Sequence, residues 1–257
     1  LGHISTEKKN AALLGISEAL CRREKEILEA NAKDIAAGKA KELSEAMLDR
    51  LALDNKRIGE MASALREVAA LRDPVGEVLA GWKRPNGLEI RKVRVPLGVV
   101  GIIYESRPNV TIDATALCLK AGNAVVLRGG SEAIHSNICL AGIAAEAAQA
   151  AGLPEGCIEI IESTDRAAAQ HLMGLREYLD VLIPRGGGGL IRSVLENSKV
   201  PVIETGEGNC HLYIDANADL TMAANIAVNA KCSRPSVCNA IETLLVQIGR
   251  AAWRERV

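Results

Sequence analysis

The feature that most constrains the fold is an alternation, from residue 98 to residue 184, of short apolar runs with longer stretches rich in Ala and Leu. The apolar runs lack a polar face, as strands do when both faces of their sheet are covered. Such strands, alternating with helices of about ten or more residues, are typical of a doubly wound parallel sheet. We therefore predict an α/β fold, mainly parallel, with strands within residues 98–105, 123–130, 157–163 and 178–184.

Further elements flank this region. Apolar residues recur at helical spacing from Thr6 to about Leu71, among many charged residues, which predicts several amphipathic helices. Apolar and basic residues alternate over Leu88–Val95, the pattern of a strand with one exposed face. A last strand is predicted over residues 242–247.

The charge balance argues against polyanionic partners. The chain has 31 Lys and Arg residues against 32 Asp and Glu residues, and its basic residues are scattered. Nucleic acid and anionic membrane surfaces are therefore not expected as partners. No apolar run approaches the ~20 residues of a membrane helix, and the first residues do not resemble a signal peptide. We expect a cytoplasmic protein.

The spacing of the cysteines does not indicate a disulfide framework. The chain has seven cysteines, which are widely spaced and include no Cys-x-x-Cys pair, so neither disulfides nor a zinc site is predicted. Most are expected to be buried as small hydrophobic residues. The seven are Cys21, Cys118, Cys139, Cys157, Cys210, Cys232 and Cys238.

Two glycine-rich segments follow predicted strands. The first is Arg185 with Gly186, Gly187, Gly188 and Gly189, ahead of a helix predicted to begin at Leu190. Backbone N–H groups at a helix start bind anions, and glycines let a phosphate approach closely. A flexible turn is the alternative interpretation.

The second segment is Arg128, Gly129, Gly130 and Ser131, at the end of the strand within 123–130. This edge of a doubly wound sheet is where nucleotides bind, and an Arg there can pair with the 2′-phosphate that distinguishes NADP from NAD. A solvated arginine at a strand end is the alternative.

A third segment, Ser233–Asn239, contains Cys238. A nucleophilic cysteine needs positive charge or free N–H groups nearby, and Lys231 and Arg234 are close in sequence. The residues by themselves leave Cys232 as a competitor.

Several longer segments carry a resemblance to a known family. They are residues 95–130, 182–191, 208–215 and 229–246, with the helical stretch 43–54. Together they resemble the γ-glutamyl phosphate reductase family, which shares the fold of the aldehyde dehydrogenase superfamily. The resemblance implies NADPH-dependent reduction of γ-glutamyl phosphate to glutamate 5-semialdehyde in proline biosynthesis, through a cysteine thioester and without a metal.

The resemblance also implies site residues. The nucleophile falls on Cys238, while family members carry a non-thiol residue at the position of Cys232. The glycines Gly186 to Gly189 correspond to the cofactor-phosphate turn, and Arg128 corresponds to the position that contacts the adenosine ribose. Arg185, Gly129, Gly130 and Ser131 are also expected to bind the cofactor. Ser106, Arg107 and Asn109 are expected to lie on a loop that supplies transition-state and substrate contacts, ahead of the next helix. Asn109 is the expected oxyanion donor, and Ser106, Arg107 and Arg234 are expected to bind substrate.

The resemblance further implies a domain organisation. Residues 1–232 are expected to form the NADP-binding domain, with part of an oligomerisation flap near 82–95. Residues 233–247 would begin a truncated catalytic domain, and 248–257 would be a non-native tail. A homo-oligomer and an association with glutamate 5-kinase are expected at full length. The alternatives are a non-catalytic nucleotide-binding fragment and the reductase half of a bifunctional pyrroline-5-carboxylate synthase.

Overall fold

The computed structural model describes residues 1–204, 206, 208–233, 235 and 237–247. The helices are α1 (Thr6–Arg22), α2 (Glu24–Ala40), α3 (Glu45–Leu51), α4 (Asn55–Ala70), α5 (Asn109–Lys120), α6 (Ile134–Ala150), α7 (Arg166–Gly174), α8 (Gly188–Asn197) and α9 (Leu220–Cys232). The strands are β1 (Val78–Lys83), β2 (Glu89–Val93), β3 (Val99–Tyr104), β4 (Ala124–Arg128), β5 (Ile158–Ile160), β6 (Val181–Arg185), β7 (Cys210–Ile214) and β8 (Ile241–Val246).

The chain divides into two compact units, Leu1–Thr205 and Gly206–Val257. The domain boundary expected from the sequence, between residues 232 and 233, falls inside the second of these units. The assignment of domains stays a prediction.

A four-stranded parallel sheet lies at the centre of the first unit, with the strand order β5-β4-β3-β6. Successive residues of β3 join different cores. Ile102 packs in a cluster with α1, α4, α5 and α6, whereas Ile103 packs in a second cluster with α7 and α8. Helices therefore cover both faces of the sheet, which explains why its strands lack a polar face. The predicted α/β fold with a mainly parallel sheet is confirmed.

The helices before the sheet form as their apolar spacing predicts. On α1 the residues Leu13, Ile16 and Leu20 are fully buried, and they share one face of the helix. The ammonium group of Lys9, on the same helix, lies 2.6 Å from a carboxylate oxygen of Asp73 just beyond α4. This ion pair is almost fully enclosed and joins the first helix to the end of the fourth.

A buried carboxylate on α2 caps a helix far along the chain. Asp34 is 1% exposed and accepts hydrogen bonds from the backbone N–H groups of His135 (3.1 Å) and Ser136 (2.8 Å). These are N–H groups at the start of α6, whose own N-cap residue, Ala133, supplies no side-chain cap. Asp34 thereby fixes the helix that follows the loop after β4.

The strands β1 and β2 pair with each other in an antiparallel ribbon, apart from the parallel sheet. Every residue of β1 is exposed, including Leu79 and Trp82. The alternation over residues 88–95 predicts β2, whereas no pattern in the sequence predicts β1. The strand β1 carries a glycine, Gly81, and does not show the period-two alternation that identified its partner.

The second unit, taken by itself, contains a two-stranded parallel sheet of β7 and β8. The helix α9 packs against β8. It is capped by Asp219, the residue before it, whose carboxylate accepts a hydrogen bond from the N–H of Met222 at 2.7 Å. Leu244 and Leu245 of β8 are 50% and 46% exposed. The strand β8 agrees with the predicted run 242–247, while β7 was not predicted.

Candidate cofactor-binding site and candidate nucleophile

The carboxyl ends of three adjacent strands carry most of the predicted site residues. Because β3 lies between β4 and β6, the segments that follow these strands lie side by side at one edge of the sheet. The segment 105–109 follows β3, 129–131 follows β4, and 186–189 follows β6. The roles of these residues stay predictions, but the first unit brings their backbones to one place.

The turn after β6 ends in a helix start. The helix α8 begins at Gly188, two residues before the predicted Leu190, and no side chain of its N-cap residue, Gly187, can cap it. Instead the N–H of Gly187 donates to Oε2 of Glu105, at 2.9 Å. A methyl group placed on Gly189 would meet nothing within 4 Å. The first turn of α8 is therefore open to an approaching group on this side.

Other glycines of the site are required by the protein's own atoms. A Cβ atom on Gly186 would lie 2.6 Å from Oε2 of Glu105. On Gly130 it would lie 3.2 Å from the backbone nitrogen of Ser106, and on Gly129 it would overlap the side-chain amide of Asn137. Contacts with the segment after β3, for Gly186 and Gly130, and with α6, for Gly129, favour glycine at all three positions before any ligand is considered.

The guanidinium group of Arg128 makes only weak hydrogen bonds within the described residues. Its Nη2 atom donates to the carbonyl oxygens of Thr164 and Asp165 at 3.4 Å each, which are long hydrogen bonds. Its Nε atom is buried and has no hydrogen-bond partner in the part of the chain that the structure describes. The guanidinium group of Arg128 therefore keeps hydrogen-bonding capacity for an anionic acceptor. Glu132, whose carboxylate accepts from the hydroxyl of Ser131 at 3.3 Å, adds an opposing charge nearby.

The segment after β3 differs from the prediction at its end. Ser106 and Arg107 lie between β3 and α5 as expected, and Ser106 has a φ of 32°, a left-handed conformation that strains a residue other than glycine. Asn109, however, is the first residue of α5 rather than part of a loop. The helix starts earlier than expected because Pro108, whose φ is fixed near the helical value, directly precedes it.

The side-chain amide of Asn109 makes a hydrogen bond within α5. It donates to Oδ2 of Asp113, one helical turn further along α5, at 2.9 Å. Burial raises the pKa of the Asp113 carboxyl, and the Asn109 hydrogen bond and the charge of Arg185 oppose that rise. A side-chain amide has two N–H groups, so Asp113 can hold Asn109 and leave one donor for another acceptor. Sequence reasoning missed Asp113, although its spacing of four residues from Asn109 places both on one helix face.

Cys238 lies in the second unit, between α9 and β8, and its side chain is exposed. Its carbonyl oxygen is 3.8 Å from the sulfur of Cys210 on β7. The ammonium group of Lys231 donates to the carbonyl oxygen of Ile241 at 2.9 Å. Lys231 is thus held at the start of β8. Cys232, at the end of α9, is also exposed, so burial does not separate the two candidates.

The remaining predicted residue of this segment, Arg234, lies outside the described residues. Among the other cysteines, burial raises the pKa of the Cys118 thiol to about 12 and that of Cys139 to about 11. Burial also raises the pKa of Cys157. These three thiols are poor nucleophiles at neutral pH because the thiolate is the reactive form.

The described residues contain neither a cluster of metal-ligating side chains nor a membrane-spanning helix. No three His, Cys, Asp or Glu side chains among them are grouped so that they could hold a metal ion. None of the described helices is both long enough and apolar enough to cross a membrane.

The sheet order and the glycine-rich turns at its carboxyl edge define a doubly wound α/β protein of the nucleotide-binding class. A sequence profile of the aldehyde dehydrogenase family matches residues 5–254. The chain therefore belongs to the aldehyde dehydrogenase family, and this membership implies a nicotinamide nucleotide cofactor.

Within this family the chain is similar to γ-glutamyl phosphate reductases, which confirms the resemblance stated from the motifs. The reductase of Moorella thermoacetica is 63% identical over 246 residues, which are 96% of this chain and 59% of the relative. The crystal structure of the Thermotoga maritima reductase matches with a TM-score of 0.88 at 50% identity, over 96% of this chain and 60% of that one. The Saccharomyces cerevisiae reductase matches with a TM-score of 0.74 at 34% identity, over 98% and 63%. The chain thus spans about three-fifths of the length of these relatives.

Proposed function

We propose that this chain carries the cofactor-binding region and the nucleophile of a γ-glutamyl phosphate reductase, which reduces γ-glutamyl phosphate to glutamate 5-semialdehyde and releases phosphate. The observation that carries the proposal is the 63% identity to a reductase of that name, over 96% of the chain. The proposal is supported by the sheet order, which brings the glycine turn, Arg128 and the segment after β3 to one edge of the sheet. This edge is where proteins of the class bind nucleotides.

The proposed chemistry begins at Cys238. Its thiolate attacks the acyl carbon of γ-glutamyl phosphate, the carbon–oxygen bond to phosphate breaks, and a thioester forms on the sulfur. A bound NADPH would supply the hydride that reduces this thioester. Both tetrahedral species carry an oxyanion, and on resemblance to the family Asn109 is the proposed donor. Within the first unit Asp113 accepts one of the two amide hydrogens of Asn109. One oxyanion donor is typically worth about 3 kcal/mol in the transition state. Collapse of the thiohemiacetal then returns the thiolate and releases the aldehyde.

Cysteine substitution in a complete enzyme tests the nucleophile. Since the chain spans 59% of the Moorella relative, we propose that this chain by itself binds the cofactor but shows little or no turnover. The assay therefore uses a chimera in which the remaining residues of that relative follow residue 247. Cys238→Ser should abolish semialdehyde formation and leave NADPH binding in place, whereas Cys232→Ser should have a mild effect. An inactive Cys232 variant beside an active Cys238 variant would transfer the role to Cys232.

We also propose that the cofactor is NADPH rather than NADH, because Arg128 ends β4 and its Nη2 atom makes only long, exposed hydrogen bonds of 3.4 Å, which a 2′-phosphate could replace. Arg128→Ala should weaken NADPH binding more than NADH binding, as measured by the fluorescence of each bound nucleotide. Equal losses would show that Arg128 does not contact the 2′-phosphate. Ser106 and Arg107 are proposed to bind substrate, and so is Arg234, on resemblance alone.

The ribbon of β1 and β2 is the proposed oligomerisation surface of the complete protein. Its exposed apolar side chains include Leu79 and Trp82, which are 45% and 49% exposed. Trp82→Glu in the chimera should lower the molar mass of the assembly, as measured by light scattering. An association with glutamate 5-kinase rests on resemblance, and co-purification of the two proteins tests it.

A further inference from the structure

Glu105 lies between the two glycine-rich loops of the candidate cofactor site. It follows β3, the strand between β4 and β6, and its backbone N–H donates to the carbonyl oxygen of Arg185 at 3.1 Å. A Cβ atom on Gly130 would lie 3.6 Å from the Cα atom of Glu105. The backbone of Glu105 therefore packs against the loop after β4, while its side chain reaches the turn after β6.

The carboxylate of Glu105 occupies the start of α8. Its Oε2 atom accepts the N–H of Gly187 at 2.9 Å, and the helix has no side-chain cap from its own N-cap residue. A Cβ atom on Gly186 would lie 2.6 Å from the same oxygen, so the glycine at 186 makes room for this carboxylate. Positive partial charge at a helix start stabilises such an anion.

We propose that Glu105 is an internal anion that competes with the phosphate groups of the dinucleotide for the α8 turn, and so sets the affinity for the cofactor. This inference rests on the cofactor site of the proposed function. The contested group is the N–H of Gly187, which a phosphate oxygen and the carboxylate cannot both occupy. The side of the turn at Gly189 stays open, since a Cβ atom there would meet nothing within 4 Å. A phosphate that enters from that side approaches the negative charge of the Glu105 carboxylate.

The charge of Glu105 can be separated from its hydrogen bond. In Glu105→Gln the amide oxygen still accepts from Gly187, but the negative charge is gone. Two like charges about 4 Å apart in a water-exposed site repel enough to change affinity roughly fivefold. Glu105→Gln should therefore bind NADPH about fivefold more tightly than the wild-type chain at low salt. The gain should shrink at high salt because salt screens exposed charges.

Two measurements test the inference on the 257-residue chain. Titration calorimetry gives the affinity for NADPH and for inorganic pyrophosphate, a probe without the nicotinamide. Hydrogen exchange at the Gly187 amide reports whether the turn keeps its shape, and it should be unchanged in Glu105→Gln and faster in Glu105→Ala. The control is Glu177→Gln, which removes an exposed carboxylate four residues before β6, at the opposite edge of the sheet. This control should bind both probes as the wild type does.

The outcomes separate this inference from the proposed function. Tighter pyrophosphate binding by Glu105→Gln, in a chain that does not bind NADPH, would support the role of Glu105 and contradict the proposed cofactor. NADPH binding that is equal or weaker in Glu105→Gln, with unchanged exchange at Gly187, would overturn the inference and leave the cofactor site intact. An equal gain in the Glu177 control would also overturn it, because the effect would then come from net charge alone.

Discussion

Asp34→Ala should destabilise the first unit by removing the cap of α6. The carboxylate is 1% exposed and accepts from the N–H groups of His135 and Ser136 and, at 2.6 Å, from the hydroxyl of Ser136. Truncation to Ala leaves these donors without the carboxylate. Buried donors that lose their acceptor cost about 1 to 3 kcal/mol each, while removing a buried charge returns part of its desolvation energy. We expect a net loss of about 3 kcal/mol in the free energy of unfolding, at the lower end of the range for a broken buried charge interaction.

Urea denaturation followed by far-UV circular dichroism measures this loss, because α1 to α8 all lie in the first unit. With an m-value of about 3 kcal/mol per molar urea, the midpoint should fall by about 1 M. The matched control is Glu29→Ala on the same helix, where an exposed carboxylate lies 3.9 Å from Lys25. Such pairs contribute about 0.5 kcal/mol or less. A loss for Asp34→Ala no larger than that of the control would refute the capping argument.

Three further predictions follow from burial and packing. Iodoacetamide at neutral pH should alkylate Cys21 and Cys232 well before Cys118, as peptide mass spectrometry would show, because burial raises the pKa of Cys118 from 9.0 to about 12 and so lowers its thiolate fraction about a thousandfold. Gly129→Ala should cost about 1 to 3 kcal/mol in urea unfolding through its clash with Asn137, whereas Gly189→Ala, with open space around it, should cost nothing; equal losses would contradict the packing argument. Burial raises the pKa of Asp113, so between pH 3.8 and that raised pKa the folded chain holds more protons than the unfolded chain. The free energy of unfolding therefore falls as the pH rises through this range. Asp113→Asn should abolish that part of the fall.

Local patterns in the sequence were sufficient for the central sheet. The runs that became β3, β4 and β6 are apolar on both faces up to their last residues, and a sheet covered by helices on both sides imposes that pattern. The edge strand β5 keeps an apolar pair but exposes Glu159 between them. The strand β7, Cys210–Ile214, was missed because its polar His211 and exposed Tyr213 break the apolar run. A short strand in a small sheet leaves a weaker trace in the sequence than a strand in a covered one.

Contacts between distant residues of the chain could not be read from local patterns. Asp34 reaches Ser136 across 102 residues, and Glu105 reaches Gly187 across 82. Each of these carboxylates lies in a segment whose own spacing shows only a helix or a loop. The sequence did place Glu105 in a segment shared with a known family, yet nothing in that segment indicates which side chain turns toward the next loop.

The glycines of the site show why a glycine-rich pattern predicts a ligand only in part. Gly129, Gly130 and Gly186 each lie against protein atoms that a Cβ atom would meet at close range, from α6 in the case of Gly129 and from the segment after β3 in the other two cases, so packing within the protein favours glycine there. Gly189 has open space where its Cβ atom would be, so packing does not explain it. The same run of glycines therefore serves two purposes, since Gly186 admits the carboxylate of Glu105 and Gly189 leaves the start of α8 accessible. Only the second purpose points to a bound phosphate, and it is the one that substitution of Gly189 by a larger residue would test without disturbing the fold.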